Sequence, residues 1–154
     1  MSRLEVGVKA PQFTLPSDSG SDISLKSLSG NRAVLYFYPA DDTPGCTKEA
    51  CQFNDLLSEF KKSKVQVLGI SPDSIEKLQA FRKKFGLNFP LLSDTSKAVM
   101  KTYGAFGEKQ LYGKTVVGVI RSTFVVSATG KIEFSWYAVR ANGHAAKVLG
   151  ELLH

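Results

Sequence analysis

The sequence predicts an α/β fold in which a central mixed β-sheet is flanked by helices. Three observations carry this reading. Residues 33–38 (AVLYFY) form a continuous apolar, aromatic-rich run, which suits a strand buried on both faces. Helical and strand-like segments alternate after it. A strand–turn–strand unit over residues 116–137 then interrupts the alternation before a last helix. An alternating first half followed by strand–turn–strand and helix is the outline of a thioredoxin-like fold.

The elements follow in order. Ala50, Phe53, Leu56, Leu57 and Phe60 recur at helical spacing, and residues 65–70 (VQVLGI) read as a second strand. Asp73-Ser74 caps a helix whose inward residues are Ile75, Leu78, Phe81 and Phe85, with Gly86 as its stop. A short strand at Leu91-Leu92 and a short helix over residues 97–103 come next. Residues 116–120 and 123–126 are strand-like, and 128–131 turn the chain into a strand over 132–137. From about Asn142 a helix presents Ala145, Val148, Leu149 and Leu152 on one side. No repeat, low-complexity tract or linker interrupts the chain, so residues 1–154 are expected to form a single domain.

Composition bounds the function. Apolar residues make up 43% and charged residues 22%, the balance of a globular protein rather than a disordered one. The opening MSRLEVGVKAPQF has no apolar run of signal-peptide length and nothing later approaches a membrane span, so a cytoplasmic protein without a membrane partner is expected. Two cysteines cannot scaffold a chain of this size, which also points to a reducing compartment. The net charge is +6, but the densest basic clusters, Lys61-Lys62 with Lys64 and Arg82-Lys83-Lys84, fall at helix ends, where cations complement the dipole. They read as solvated faces, and no nucleic-acid partner is expected.

The chemistry concentrates in PADDTPGCTKEAC, residues 39–51, which holds both cysteines. With Thr43 as N-cap, Pro44 takes the first helical position, where its missing N–H costs nothing. Gly45 allows close backbone approach. Cys46 then occupies the third position, where a capping box places Glu or Gln. A thiol therefore stands in place of an anion at the positive end of a helix, which favours a nucleophilic thiolate. On a helical wheel Cys46 shares the inward arc of Ala50, Phe53, Leu57 and Phe60. Cys51 lies about 140° away, facing water with Lys48, Asp55, Ser58 and Lys62. Their Cα atoms would be about 8.6 Å apart in an intact helix, beyond the roughly 7 Å a disulfide tolerates. The pair reads as a switch that closes only if the first turns unwind.

Arg121 is the second clue. It lies in the otherwise apolar run VVGVIRSTFVV and needs an anion that its sequence neighbours do not offer. It either pairs with a distant carboxylate or turns its guanidinium fork to Cys46 and an oxygen substrate.

Pro39, Thr43 and Cys46 match the PxxxTxxC signature of the peroxiredoxins, and Arg121-Ser122-Thr123-Phe124 resembles that family's arginine segment. The TPGCTKEAC spacing is similar to the bacterioferritin comigratory protein (peroxiredoxin Q) branch. The opening GVKAPQFTLPSDSG, the segment YGAFGEKQLYGK and GVIRSTFVVSATGKI extend the resemblance along the whole chain. The resemblance implies that Cys46 is the peroxidatic cysteine, which attacks the peroxide O–O bond and becomes a sulfenic acid. It implies that Thr43 and Arg121 bind and polarise the hydroperoxide, and that Pro39 shields Cys46. It further implies that Cys51 is the resolving cysteine, forming an intrachain disulfide that thioredoxin or a similar dithiol reductant reduces. The branch implies no cofactor or metal, and a monomer. Two details depart from it: Ser127 stands where this branch often carries Asp, and Glu49, one turn from Cys46, either points away or pairs with Arg121.

Rival readings use the same residues. A metal site would combine the cysteines with His144 and His154, but these lack ligand spacing and read as solvated helix and tail residues. A thiol–disulfide oxidoreductase would want C-x-x-C. A peroxide-sensing redox switch or holdase would keep the cysteines without needing Thr43 and Arg121. The GAFGEKQLYGK segment lacks the context of a phosphate-binding loop. Trp136 reads as packing, and the YFYP aromatics as strand core, with Tyr38 also a border of the site.

Overall fold

A short antiparallel pair, β1 (Thr14–Pro16) and β2 (Asp22–Ser24), opens the fold, followed by a 3-10 turn over Lys26–Leu28. The computed structural model describes residues 3–41 and 43–153. Along the rest of the chain run β3 (Arg32–Phe37), α1 (Pro44–Asp55), α2 (Leu57–Lys62), β4 (Val65–Ser71), α3 (Ile75–Phe85), β5 (Leu91–Ser93) and α4 (Ala98–Thr102). They continue with β6 (Phe106–Leu111), β7 (Lys114–Val119), β8 (Ser122–Val126), β9 (Ile132–Trp136) and α5 (His144–Leu152).

The central sheet has the order β5-β4-β3-β8-β9. β3, β4 and β5 run parallel, β8 runs antiparallel to β3, and β9 runs antiparallel to β8. The expected strand buried on both faces is β3, and the alternation of its side chains separates two cores. Val34 and Tyr36 point with Val67 and Val125 to the face covered by α1, α2, α3 and α5. Ala33, Leu35 and Phe37 point with Leu68, Ile70 and Phe124 to the face covered by α4 and the N-terminal segment. Gly69 on β4 lies beside Tyr36, and a Cβ there would stand 2.9 Å from the Tyr36 ring. Its bare backbone lets Tyr36 stack on Phe53 of α1 at 4.7 Å.

The single helical stripe expected through Phe60 is two helices. Leu56 leaves helical geometry (φ −97°, ψ 4°), and the break re-aims the chain so that both Leu57 and Phe60 are buried. α3 is capped by Ser74, whose hydroxyl accepts from the Lys77 amide, and is ended by left-handed Gly86, as expected. Asp73 does not cap it; its carboxylate accepts instead from the Asp41 amide and the Ser71 hydroxyl. The GAFGEKQLYGK segment contributes to the β6–β7 hairpin. Tyr112 and Gly113, both at positive φ, turn it in the sense that matches strand twist. No described helix is long and apolar enough to cross a membrane.

Candidate active site

Past β3 the chain leaves the sheet through Tyr38 and Pro39, and hydrogen bonds fix the loop that follows. The Tyr38 hydroxyl donates to Asp41 Oδ1 at 2.6 Å, and the Asp41 amide donates to Asp73 Oδ2 at 2.7 Å. Burial is the main cause that pushes the Asp41 carboxyl up to about 7; nearby Asp73 adds to it, while the Tyr38 bond opposes. Thr43 follows with extended backbone and is the N-cap of α1, with Pro44 after it. Its side chain, however, does not cap: Oγ1 donates to the Ala40 carbonyl at 3.0 Å. The amides of Gly45 and Cys46 thus sit in a first turn that offers them no earlier helical carbonyl.

Cys46 faces inward, 1% exposed, on the stripe of Ala50 and Phe53, and Cys51 lies half-buried on the outer side; both thiols are free. Arg121 sits in the bend between β7 and β8, where its carbonyl accepts from the Val139 amide at 3.0 Å. Its guanidinium divides between two partners. Nη2 donates to Cys46 Sγ at 3.3 Å and Nη1 to Glu49 Oε1 at 2.7 Å. Arg121 therefore meets a carboxylate distant in sequence and the Cys46 sulfur at once, and Glu49 does not point away. Glu49 is fully buried, and its Oε2 has no hydrogen-bond partner among the described residues. Burial pushes its carboxyl up to about 7 against the pull of Arg121. For Arg121, burial weakens the charge, but Glu49 and Cys46 outweigh it and hold the pKa above its ordinary value.

Two recesses flank this cluster. One, of about 590 Å³, opens on Pro39 and Arg121 between Ile120, Val139 and the β6 residues Glu108 and Lys109. The other, of about 480 Å³, is lined by Thr43, Pro44, Thr47, Lys48, Cys51 and Phe85. Pro39 and Arg121 thus share one recess, and Thr43 and Cys51 the other.

The AhpC/TSA family profile matches residues 6–135. Peroxiredoxin Bcp of Escherichia coli is 43% identical over 152 residues, which cover 99% of this chain and 97% of that one. This chain belongs to the peroxiredoxins of the AhpC/TSA family. A Mycobacterium tuberculosis chain that carries a peroxiredoxin name is 55% identical over 151 residues, covering 98% and 96% of the two chains. The Xanthomonas campestris bacterioferritin comigratory protein was solved in trapped intermediate and ligand complexes bearing on its alkyl peroxide reduction activity. It superposes with a TM-score of 0.90 at 38% identity, over 97% of this chain and 98% of that one. PrxQ of Xylella fastidiosa gives 0.92 at 34% identity, over 99% and 98%. The thioredoxin-like fold and the family expected from the motif are both correct, and peroxiredoxins are thiol peroxidases.

The histidines need correction. His144 is not solvated: it is buried, its Nε2 lies 2.8 Å from Thr123 Oγ1, and its ring meets Phe53 and Trp136 edge-on. Burial pushes its pKa down to about 4, with Lys147 and Arg121 adding to the shift. The sequence held the signal, because residues 144, 148 and 152 share one helical face. His154 lies outside the described residues.

Proposed function

We propose that this peroxiredoxin reduces hydrogen peroxide and organic hydroperoxides through Cys46, with Cys51 resolving the product inside one chain. The observation that carries the reading is the 3.3 Å hydrogen bond from Arg121 to the Cys46 sulfur at the first turn of α1. The Cys46 thiolate attacks one peroxide oxygen; an S–O bond forms, the O–O bond breaks, and the departing hydroxide or alkoxide takes a proton from solvent to leave as water or the alcohol. Arg121 donates to the peroxide oxygens. The Thr43 hydroxyl, whose proton goes to Ala40, accepts from the peroxide O–H, and Pro39 walls the site from water. Cys51 then attacks the sulfenic sulfur, forming the S–S bond and releasing water. A dithiol protein such as thioredoxin takes over the disulfide by exchange and restores both thiols. Both cysteines of the peroxide and disulfide steps belong to one chain, which favours a monomer, and thiols that must return to the reduced state suit the cytoplasm.

The test is one equivalent of hydrogen peroxide on the reduced protein, followed by thiol titration and intact mass. Loss of both thiols and of about two mass units, without covalent dimer, is expected. A Cys51→Ser variant should stop at the sulfenic acid or overoxidise. Survival of both thiols for minutes would overturn the reading.

A further inference from the structure

Two carboxamides stand on either side of Phe53 near the end of α1, and each makes a two-point contact with a different turn. Gln52 donates from Nε2 to Asn142 Oδ1 and accepts from the Gly143 amide, both at 2.8 Å. Asn54 donates from Nδ2 to the Gly86 carbonyl at 3.1 Å and accepts from the Asn88 amide at 2.8 Å. The first turn leads into α5 and the second leaves α3. Between them Phe53 is fully buried and stacked on Tyr36 of β3. Residues 52–54 are thereby fastened to three separate parts of the fold.

The preceding turns are fastened differently. Their side-chain polar ties to the body run through Arg121, to Cys46 Sγ and to Glu49. Oxidation of Cys46 alters the atom that Arg121 holds, while the Gln52 and Asn54 contacts are left as they were. Closing a disulfide from about 8.6 Å in an intact helix to within roughly 7 Å requires one end to move. Cys51 directly precedes the fastened residues. Cys46 follows Pro44 and Gly45, at the end of the helix where the backbone is least bonded. Thr43, Pro44 and Cys51 line the same recess of about 480 Å³, so the outward path of the Cys46 segment is open.

We propose, resting on the two-cysteine reading above, that Gln52 and Asn54 are positioning residues for the disulfide step: they stop the unwinding of α1 at residue 51, so that Cys51 stays in place and the Cys46 segment swings out to meet it. In that step the Cys51 sulfur bonds to the sulfenic sulfur, the S–O bond breaks, and the hydroxide leaves as water with the Cys51 proton. A target thiol held in a small volume keeps its effective concentration high.

Hydrogen exchange on the full-length reduced and disulfide forms, resolved by mass spectrometry, tests the stop point. Amides of 47–55, whose helical acceptors are the carbonyls of 43–51, should lose protection in the disulfide form, while those of 56–60 keep it. Rapid-quench mass spectrometry of a Gln52→Ala/Asn54→Ala double variant adds a kinetic readout. Sulfenic acid should form at the wild-type rate per peroxide concentration, whereas its conversion to disulfide should slow about five-fold, roughly the factor one net hydrogen bond is worth. Overoxidised product should rise accordingly. Loss of protection through residue 60 in the wild-type disulfide form, or wild-type conversion in the variant, would overturn the proposal. If wild-type protein lost thiols without any disulfide, the two-cysteine reading itself would fail, an outcome told apart by mass.

Discussion

Arg121 joins Cys46 and Glu49 with the two terminal nitrogens of a single guanidinium, at 3.3 Å and 2.7 Å. Cys46 and Glu49 are one helical turn apart on α1, so the planar fork reads two rungs of one helix from the side. A fork of this kind fixes its own orientation, because turning toward one partner loses the other.

Arg121→Lys keeps the charge and removes the fork. A single ammonium cannot hold both partners in one geometry. The peroxide-dependent step should fall roughly 100-fold, the scale of losing a donor aimed at developing charge. Stopped-flow rates against hydrogen peroxide concentration measure it, and a variant within threefold of wild type would remove the fork from the mechanism.

Gly45→Ala tests the same fork from the other side. A Cβ at this position would stand 3.3 Å from Arg121 Nη2, the nitrogen that binds the Cys46 sulfur. The guanidinium must shift by a few tenths of an ångström, which disturbs its contact with the sulfur. Alanine favours the helix by up to about 1 kcal/mol over glycine. The expected signature is thus a split: peroxide reactivity drops about ten-fold while the melting temperature holds or rises. A fall in both would mean that the methyl disrupts packing rather than the fork.

Much of the site could be read before the fold was known, because it is local. Thr43, Pro44 and Cys46 lie in one helix start, and the helical wheel alone turned Cys46 inward and Cys51 outward. What remained open was non-local. Glu49 and Arg121 are 72 positions apart, and only the bend between β7 and β8 brings them together. The break at Leu56 was hidden because the apolar stripe continues across it. β1, β2 and β6 escaped notice because two of them are three residues long and the third carries Glu, Lys and Gln. Gln52 and Asn54 carry no signal in the sequence, because their partners belong to turns that sequence does not position.

Glu49 makes stability depend on pH. Its carboxyl, ordinarily near 4.5, is pushed up to about 7 by burial. A raised folded pKa means the folded state holds this proton more tightly than the unfolded chain does. The stabilisation is complete below about 4.5 and is lost as pH rises through about 7. The change is up to about 3 kcal/mol over the window. Glu49→Gln should flatten the urea-unfolding free energy between pH 5 and 8, because its neutral amide stands in for the protonated carboxyl throughout the window. Asp41, also near 7, should leave a residual slope of the same sign. An unchanged slope would show that Glu49 is not the titrating group.

The disulfide step should carry its own pH signature. Burial pushes the Cys51 thiol up, and Asp55, one turn along α1, pushes it further. Only the thiolate attacks the sulfenic sulfur, so near neutral pH a small ionised fraction limits the step. Its rate constant should climb close to ten-fold per pH unit from about 7 to 9. Asp55→Asn should raise it about twofold at pH 7.5, an effect that fades in roughly 0.5 M salt because Asp55 is exposed. The peroxide step should not respond to this substitution, since the Arg121 contacts run to the opposite side of the helix. Rapid-quench mass spectrometry across the pH range separates the two steps. A conversion rate flat from pH 6 to 9 would assign the limit to the unwinding of α1 instead of the ionisation of Cys51, and Asp55→Asn would then have no kinetic effect.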